Sequence, residues 1–196
     1  MKTPVKILII AVLAFVAAYA GSRAYQWQQD NRRIMAEYAG YTAGDFTLEG
    51  PEGEVSLHDY KGRVVLIYFG YTYCPDVCPT SLAVMGQAMK ELETEANVKG
   101  LLISVDPARD TLEQLKAYAP FFHPEITGLR GSDAQILEVA TRYGTYYQKV
   151  EREEGKDYLV DHTSRIFIID KNGELAGVAR HGSTPQEVVE RVRRIL

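Results

Sequence analysis

The chain has 196 residues, enough for one domain and a short extra segment but not for two full domains. Hydrophobic residues make up 46% and charged residues 24%, a balance that excludes disorder over most of the length. The net charge of -4 gives no bulk attraction for a polyanion, so no nucleic acid is expected as a partner, and two cysteines are too few for a disulfide-built scaffold or for two structural zinc sites.

The first element is an uncharged apolar run, Ile7 to Gly21, with Lys2 and Lys6 before it and Arg23 after it. Its fifteen residues fall short of the ~20 that span a bilayer unaided, and Thr3-Pro4-Val5 with a snorkelling Lys6 can extend it. Two readings stay open: an uncleaved transmembrane anchor over residues 1–23, or an export signal cleaved near Ala18-Tyr19-Ala20. Both place the rest of the chain outside the cytoplasm, because the positive charges sit on the N-terminal flank. No cysteine lies near the run, which excludes a lipidated N-terminus. The apolar run begins too close to Met1 to leave room for a mitochondrial transit peptide, so a bacterial setting is expected. Residues 24–196 carry a net charge of -7, so the exported part is acidic.

Residues 24–43 are polar and mixed and read as a linker to a domain over residues 44–196. Arg63 to Phe69 is β-branched and aromatic without alternation, which predicts a strand buried on both faces. A helix over Leu82 to Leu92 follows, with Leu82, Met85 and Met89 on one face as core residues. Lys99 to Val105 is a second buried strand. Thr111 to Tyr118 reads as a helix capped by Asp110 or Thr111 and ended by Pro120. Ile126 to Arg130 is a short strand, and Ser132 caps a helix that Gly144 ends. Glu151 to Asp157 is a charge cluster that reads as a solvated loop. Arg165 to Ile169 and Glu174 to Ala179 form a hairpin about the turn Asp170-Lys171-Asn172-Gly173. A last helix runs from Pro185 to Ile195. Right-handed crossovers turn this order into a mixed sheet with helices on both faces, an α/β arrangement that a thioredoxin-like core fits.

Both cysteines lie in one loop, Gly70-Tyr71-Thr72-Tyr73-Cys74-Pro75-Asp76-Val77-Cys78-Pro79, between a buried strand and a helix. That is where sites form in open α/β sheets, and a helix N-terminus stabilises thiolates. Cys74 and Cys78 are spaced as neighbours on a helical turn, close enough to share one metal ion or to oxidise to a disulfide. Two thiolates are soft ligands that favour Cu(I), whereas structural zinc needs about four ligands. Among His58, His123, His162 and His181, His162 stands out as a third ligand because Tyr158 to Ser164 leads straight into the strand Arg165 to Ile169. From the residues alone, a plain structural disulfide and a non-ligand histidine remain open.

The cysteine segment GYTYCPDVCP closely resembles that of the SCO/SenC family, membrane-anchored copper proteins of cytochrome oxidase assembly, whose pattern runs roughly GYTxCPDVCP. The resemblance continues at Gly44-Asp45-Phe46-Thr47-Leu48, at Ser104 to Thr111 (SVDPARDT) and at Asp157 to Thr163 (DYLVDHT), and covers about residues 44–195. It implies a thioredoxin-like fold and copper, as Cu(I) and Cu(II), held by Cys74, Cys78 and His162. It also implies delivery of copper to the binuclear centre of cytochrome c oxidase subunit II, or to another copper-accepting protein, from the periplasmic face of a bacterial inner membrane with a single-pass anchor. Tyr73 departs from the family, many of whose members have histidine there. The alternative is a thiol–disulfide reductase for the oxidase's copper-site cysteines, in which Cys74 and Cys78 are the catalytic pair. A peroxiredoxin-like peroxidase fits the fold but lacks the proline–threonine context of a peroxidatic cysteine. Of the remaining residues, Asp76 and Asp161 read as local caps, with orientation of His162 as the alternative. Asp106 and Arg109 read as a loop-fixing ion pair, and His58, His123 and His181 as loop or surface residues.

Overall fold

A computed structural model describes residues 3–152 and 157–196. Helix α1, Thr3–Glu37, is one unit, and Tyr38–Leu196 is a second, compact one. Within α1, the 24 residues Lys6–Gln29 are long and apolar enough to cross a membrane. The helix continues through most of the segment read as a linker. Residues 24–37 contain neither glycine nor proline, and more than half are the helix formers alanine, glutamine, arginine, methionine and glutamate, so nothing local stops the turn. The middle of the charge cluster, Glu153 to Lys156, lies outside the described residues.

The second unit is organised by a five-stranded sheet in the order β5-β4-β3-β8-β9. Its centre is β3, Val64–Gly70, in which every residue is buried. β4, Val98–Ser104, runs parallel to it, and β5, Ile126–Leu129, runs parallel to β4. β8, Arg165–Ile169, lies antiparallel on the other side of β3 and turns through Asp170 to Gly173 into β9, Leu175–Arg180. The apolar runs without alternation are thus the strands that have residues packed on both faces. Helix α2, Val77–Leu92, lies against α5, Pro185–Arg193, and against β4. Gly100 lets α2 sit close, since a Cβ there would come within 2.7 Å of Met85 Cε. The opposite face of the sheet carries Phe69 and Phe167, which pack edge-on or tilted against Tyr143 at the end of α4, Asp133–Arg142. The α/β class, the mixed sheet and the cover on both faces match the sequence expectation.

One local expectation needs correction, and two hairpins are additions to what the sequence reading contained. Helix α3, Leu112–Phe122, contains Pro120 instead of ending before it. Pro120 stands two residues from the helix end, so its missing N–H removes only one bond of the last turn. Residues 45–60 hold a hairpin, β1 (Thr47–Gly50) with β2 (Gly53–Ser56), and a short 3-10 helix Leu57–Tyr60. A second hairpin pairs β6, Tyr147–Val150, with β7, Leu159–His162. Its strands are short and mostly exposed, so no apolar run marks them.

Candidate metal site

Strand direction brings the candidate ligands together. β3 ends at Gly70 and releases the cysteine loop. β8 runs antiparallel to β3, with Ile166 opposite Tyr68, so its beginning lies at the same edge. The residues just before β8 are therefore delivered beside the loop, and His162 is the last residue of β7, three positions upstream. The Sγ atoms of Cys74 and Cys78 and the ring of His162 place one ligand atom each within 4.8 Å of one another. Cys78 Sγ is 3.2 Å from His162 Nε2.

The two cysteines do not share a helical turn. Cys78 is the second residue of α2, while Cys74 stands before the helix, two residues ahead of the cap position Asp76. Asp76 makes no side-chain cap, contrary to expectation. Instead Cys74 Sγ accepts the backbone N–H of Cys78 at 3.4 Å, one of the donors that a helix start leaves unpaired. The Cys78 side chain is fully buried, and Cys74 retains 8% exposure. The hydrogen bond from Cys78 holds the Cys74 thiol far down, at about 3, against an opposing effect of burial; His162 and the Asp76 and Cys78 amides add to the lowering. Burial first, and the neighbouring Cys74 next, push Cys78 up. In the reduced, empty pair the proton therefore stays on Cys78 and the charge on Cys74.

His162 is held between two tyrosines. The rings of Tyr68 and Tyr71 meet it edge-on at 6.0 and 5.9 Å between centroids. Its Nδ1 is 3.4 Å from the carbonyl of Thr163, which orients the ring so that Nε2 faces the sulfurs. Asp161 takes no part in this: it is exposed on the other side of β7, and the orienting group is a backbone carbonyl. The Tyr71 hydroxyl accepts the N–H of Val160, and the Tyr68 hydroxyl meets Ser164 Oγ at 2.9 Å.

The cysteine loop is tied down from the other side by Asp110, which is fully buried. Its carboxylate accepts the backbone N–H of Thr72 at 3.2 Å and the hydroxyls of Thr72 and Ser104, each at 2.6 Å. Burial pushes its pKa up. Thr111, not Asp110, caps α3. Arg109 and Asp106 form the expected ion pair at 2.5 Å. Met85 and Met89 are core residues, as expected. His58 and His181 are exposed, but His123 is buried, with Nδ1 accepting the Glu125 N–H and Nε2 3.0 Å from Glu93. Its position after α3, against Gly86 of α2, accounts for the burial. The sequence reading gave no role to Tyr68, Tyr71 or Tyr158, or to Asp110 beyond a cap. All four lie in or beside the quoted motifs, and only the fold shows what each one touches.

A sequence model of SCO1/SenC matches residues 35–196. The chain belongs to the SCO1/SenC family. The mouse protein SCO2 homolog, mitochondrial, is 34% identical over 185 residues, which is 92% of this chain and 72% of that protein. A SCO2-like protein of Rickettsia conorii is 38% identical over 153 residues, 76% of this chain and 75% of that one. The structure of Bradyrhizobium japonicum ScoI with copper bound is similar with a TM-score of 0.70 at 39% identity, covering 78% of this chain and 98% of that chain. This Sco chain thus has the thioredoxin-like fold expected from its sequence.

Proposed function

We propose that this Sco protein is a membrane-anchored, extracytoplasmic copper metallochaperone. Its cargo is held by Cys74, Cys78 and His162 and delivered to the binuclear centre of cytochrome c oxidase subunit II. The observation that carries this reading is the convergence of two sulfurs and an imidazole nitrogen within 4.8 Å. Two soft sulfurs and one nitrogen suit Cu(I), and His162 contributes most to Cu(II), which takes nitrogen ligands more readily. Structural zinc would need about four ligands, and among the described residues the cluster offers three. Cys74 is ready as a thiolate, Cys78 must give up its proton as the ion enters, and His162 presents Nε2 beside both sulfurs. Release follows by exchange of these ligands for thiols of the acceptor, with no change in the ion's charge. The family match and the copper-bound Bradyrhizobium relative support the reading. Helix α1 and the lysines ahead of its apolar run support a single-pass anchor in a bacterial inner membrane with the domain on the periplasmic face.

The test is a titration of the reduced full-length protein in detergent with Cu(I) against a competing chelator, beside Cys78→Ala and His162→Ala. One-to-one binding that Cys78→Ala abolishes, with a Cu(II) spectrum that His162→Ala alters, is the expected result. Binding no tighter than that of an unrelated dithiol, unchanged by either substitution, overturns the reading.

A second reading rests on the unequal burial of the two thiols. Cys74, the more accessible thiolate, would attack an acceptor disulfide and form a mixed disulfide. Cys78, losing its proton, would then displace the acceptor thiolate and close a Cys74–Cys78 bond. Two electrons pass to the acceptor. Fast exchange with an oxidised subunit II peptide, together with weak copper binding, would favour this reductase.

A further inference from the structure

Arg109 touches both carriers of the candidate ligands, and it is the only described residue that stacks on aromatic rings from each. Its guanidinium carbon lies 3.7 Å from the ring centroid of Tyr158, which enters the β6–β7 hairpin that ends in His162. The same carbon is 4.9 Å from the ring of Tyr73 and 5.8 Å from that of Tyr71, both in the cysteine loop. Such contacts are attractive because the cation meets the negative face of a ring. Its Nη1 donates to the Tyr158 carbonyl at 2.9 Å, and its Nε donates to Asp106. Asp106 closes the circuit: it is fully buried and its other oxygen accepts the Tyr158 hydroxyl at 2.8 Å. Nη2 of Arg109 is buried with no hydrogen-bond partner among the described residues, so packing against rings takes the place of a bond there.

From this arrangement we propose that Arg109 is the positioning residue for the third ligand, rests on the copper reading above, and acts through Tyr158 to hold the His162 hairpin against the cysteine loop. The hairpin belongs to a separate two-stranded sheet and is not hydrogen-bonded into the five-stranded one. Among the described residues, its ties to the cysteine side include the Cys78 sulfur on His162 Nε2, the Tyr71 hydroxyl on Val160, the tyrosine edges on His162, and the Arg109–Asp106–Tyr158 circuit. Arg109 alone in this set engages both sides with a charge. Cysteine pairing does not depend on it, since Cys74 and Cys78 are set by the loop, Asp110 and the start of α2. The clamp therefore governs ligation by nitrogen and leaves ligation by sulfur alone.

The test compares wild type, Arg109→Gln, Arg109→Lys, His162→Ala and the Gln/Ala double variant, all full-length and reduced in detergent. Arg109→Gln is expected to leave Cu(I) affinity within about twofold while Cu(II) affinity falls about tenfold or more, the range for a lost orienting partner. Its Cu(II) spectrum should move toward that of His162→Ala, and the double variant should be no worse than His162→Ala. Arg109→Lys, which keeps the cation over the rings, should recover part of the loss. In the copper-free protein, Arg109→Gln also removes the partner of the buried Asp106 carboxylate and should lower the urea midpoint, but it should speed hydrogen exchange of the Val160 amide at least about tenfold more than that of Ile67 in the centre of β3. Equal loss of Cu(I) and Cu(II) affinity, or an unchanged Cu(II) spectrum, overturns the proposal. If wild type itself binds no copper, the proposed function fails, and the exchange measurement alone decides whether the clamp exists: unchanged Val160 exchange overturns it.

Discussion

Replacing Asp110 by alanine tests how the cysteine loop is held. The carboxylate has no exposure and accepts three hydrogen bonds, from the Thr72 N–H, the Thr72 hydroxyl and the Ser104 hydroxyl. Alanine leaves a buried N–H and two hydroxyls unpaired. Bonds to a charged group contribute roughly 1.5–3 kcal/mol each, and loss of the carboxylate also relieves the burial that raises its pKa. The Thr72 hydroxyl can turn elsewhere, so the net loss should be about 3 kcal/mol. Asp110→Asn keeps one acceptor oxygen and sheds the charge, and should lose only about 1 kcal/mol. The pH dependence separates the two. A carboxyl whose pKa is raised by folding contributes most below its unfolded value and loses that contribution as pH rises toward the folded one. Wild type should therefore exceed Asp110→Asn by more near pH 4 than near pH 7. Urea unfolding of the reduced, copper-free protein reads both quantities, provided the slope with denaturant is unchanged. Alanine as stable as asparagine, or a gap that widens toward neutral pH, refutes this account of the loop.

The reduced thiols predict a second pH effect. The lowered Cys74 contributes stability that is complete above the ordinary thiol range and lost as pH falls toward about 3. The raised Cys78 contributes stability below that range and loses it as pH rises above. Urea midpoints should thus peak near the ordinary thiol value, about 8.5, and Cys74→Ser should flatten the acid side; parallel curves for wild type and variant would count against it. Gly70→Ala puts a Cβ 2.7 Å from the Tyr68 ring and 3.1 Å from Cys78 Sγ. It should cost about 1–3 kcal/mol by thermal melting and weaken copper retention, and full retention would show that the ring and sulfur yield freely. Tyr71→Phe strands the buried Val160 N–H. It should cost about 1–2 kcal/mol and speed exchange at that amide, with little change at Ile67 in the centre of β3.

The parts of the molecule that could be read from residues are those where burial writes a pattern. β3, β4 and β8 carry apolar runs without alternation because both faces are covered, and the capping boxes at Thr111, Ser132 and Thr184 mark three helix starts by a polar residue followed three positions later by Gln or Glu. The β6–β7 hairpin escaped because its strands are four residues each and bury only Val160, too little to write a pattern. Pro120 misled because a proline rule for helix interiors loses its force within the last turn. The candidate ligands were read from the soft sulfurs, the strand-to-helix loop and the family motif. What surrounds them was not. Asp110 is 38 residues from the Thr72 it binds, and Tyr158 is 52 from Asp106, so no local spacing could have joined them.

That distance in sequence explains the form of the site. A metal pair built from one loop needs only local geometry, and Cys74 and Cys78 obtain it from a strand end and a helix start. A third ligand from another part of the chain must be brought to the same edge and then held there. The antiparallel course of β8 does the first, whatever the side chains. The second falls largely to polar side chains, because Val160 is the one buried residue of the hairpin's two strands: the Tyr71 hydroxyl, the buried Asp106 and the Arg109 cation among its rings do most of the holding. Contacts of this kind are individually worth about 1–3 kcal/mol, enough to order a short hairpin and small enough to be broken when an acceptor protein presses on it. If the protein takes up an ion and gives it away, as proposed above, that division serves it, with two candidate ligands fixed to the fold and one on an arm that can let go.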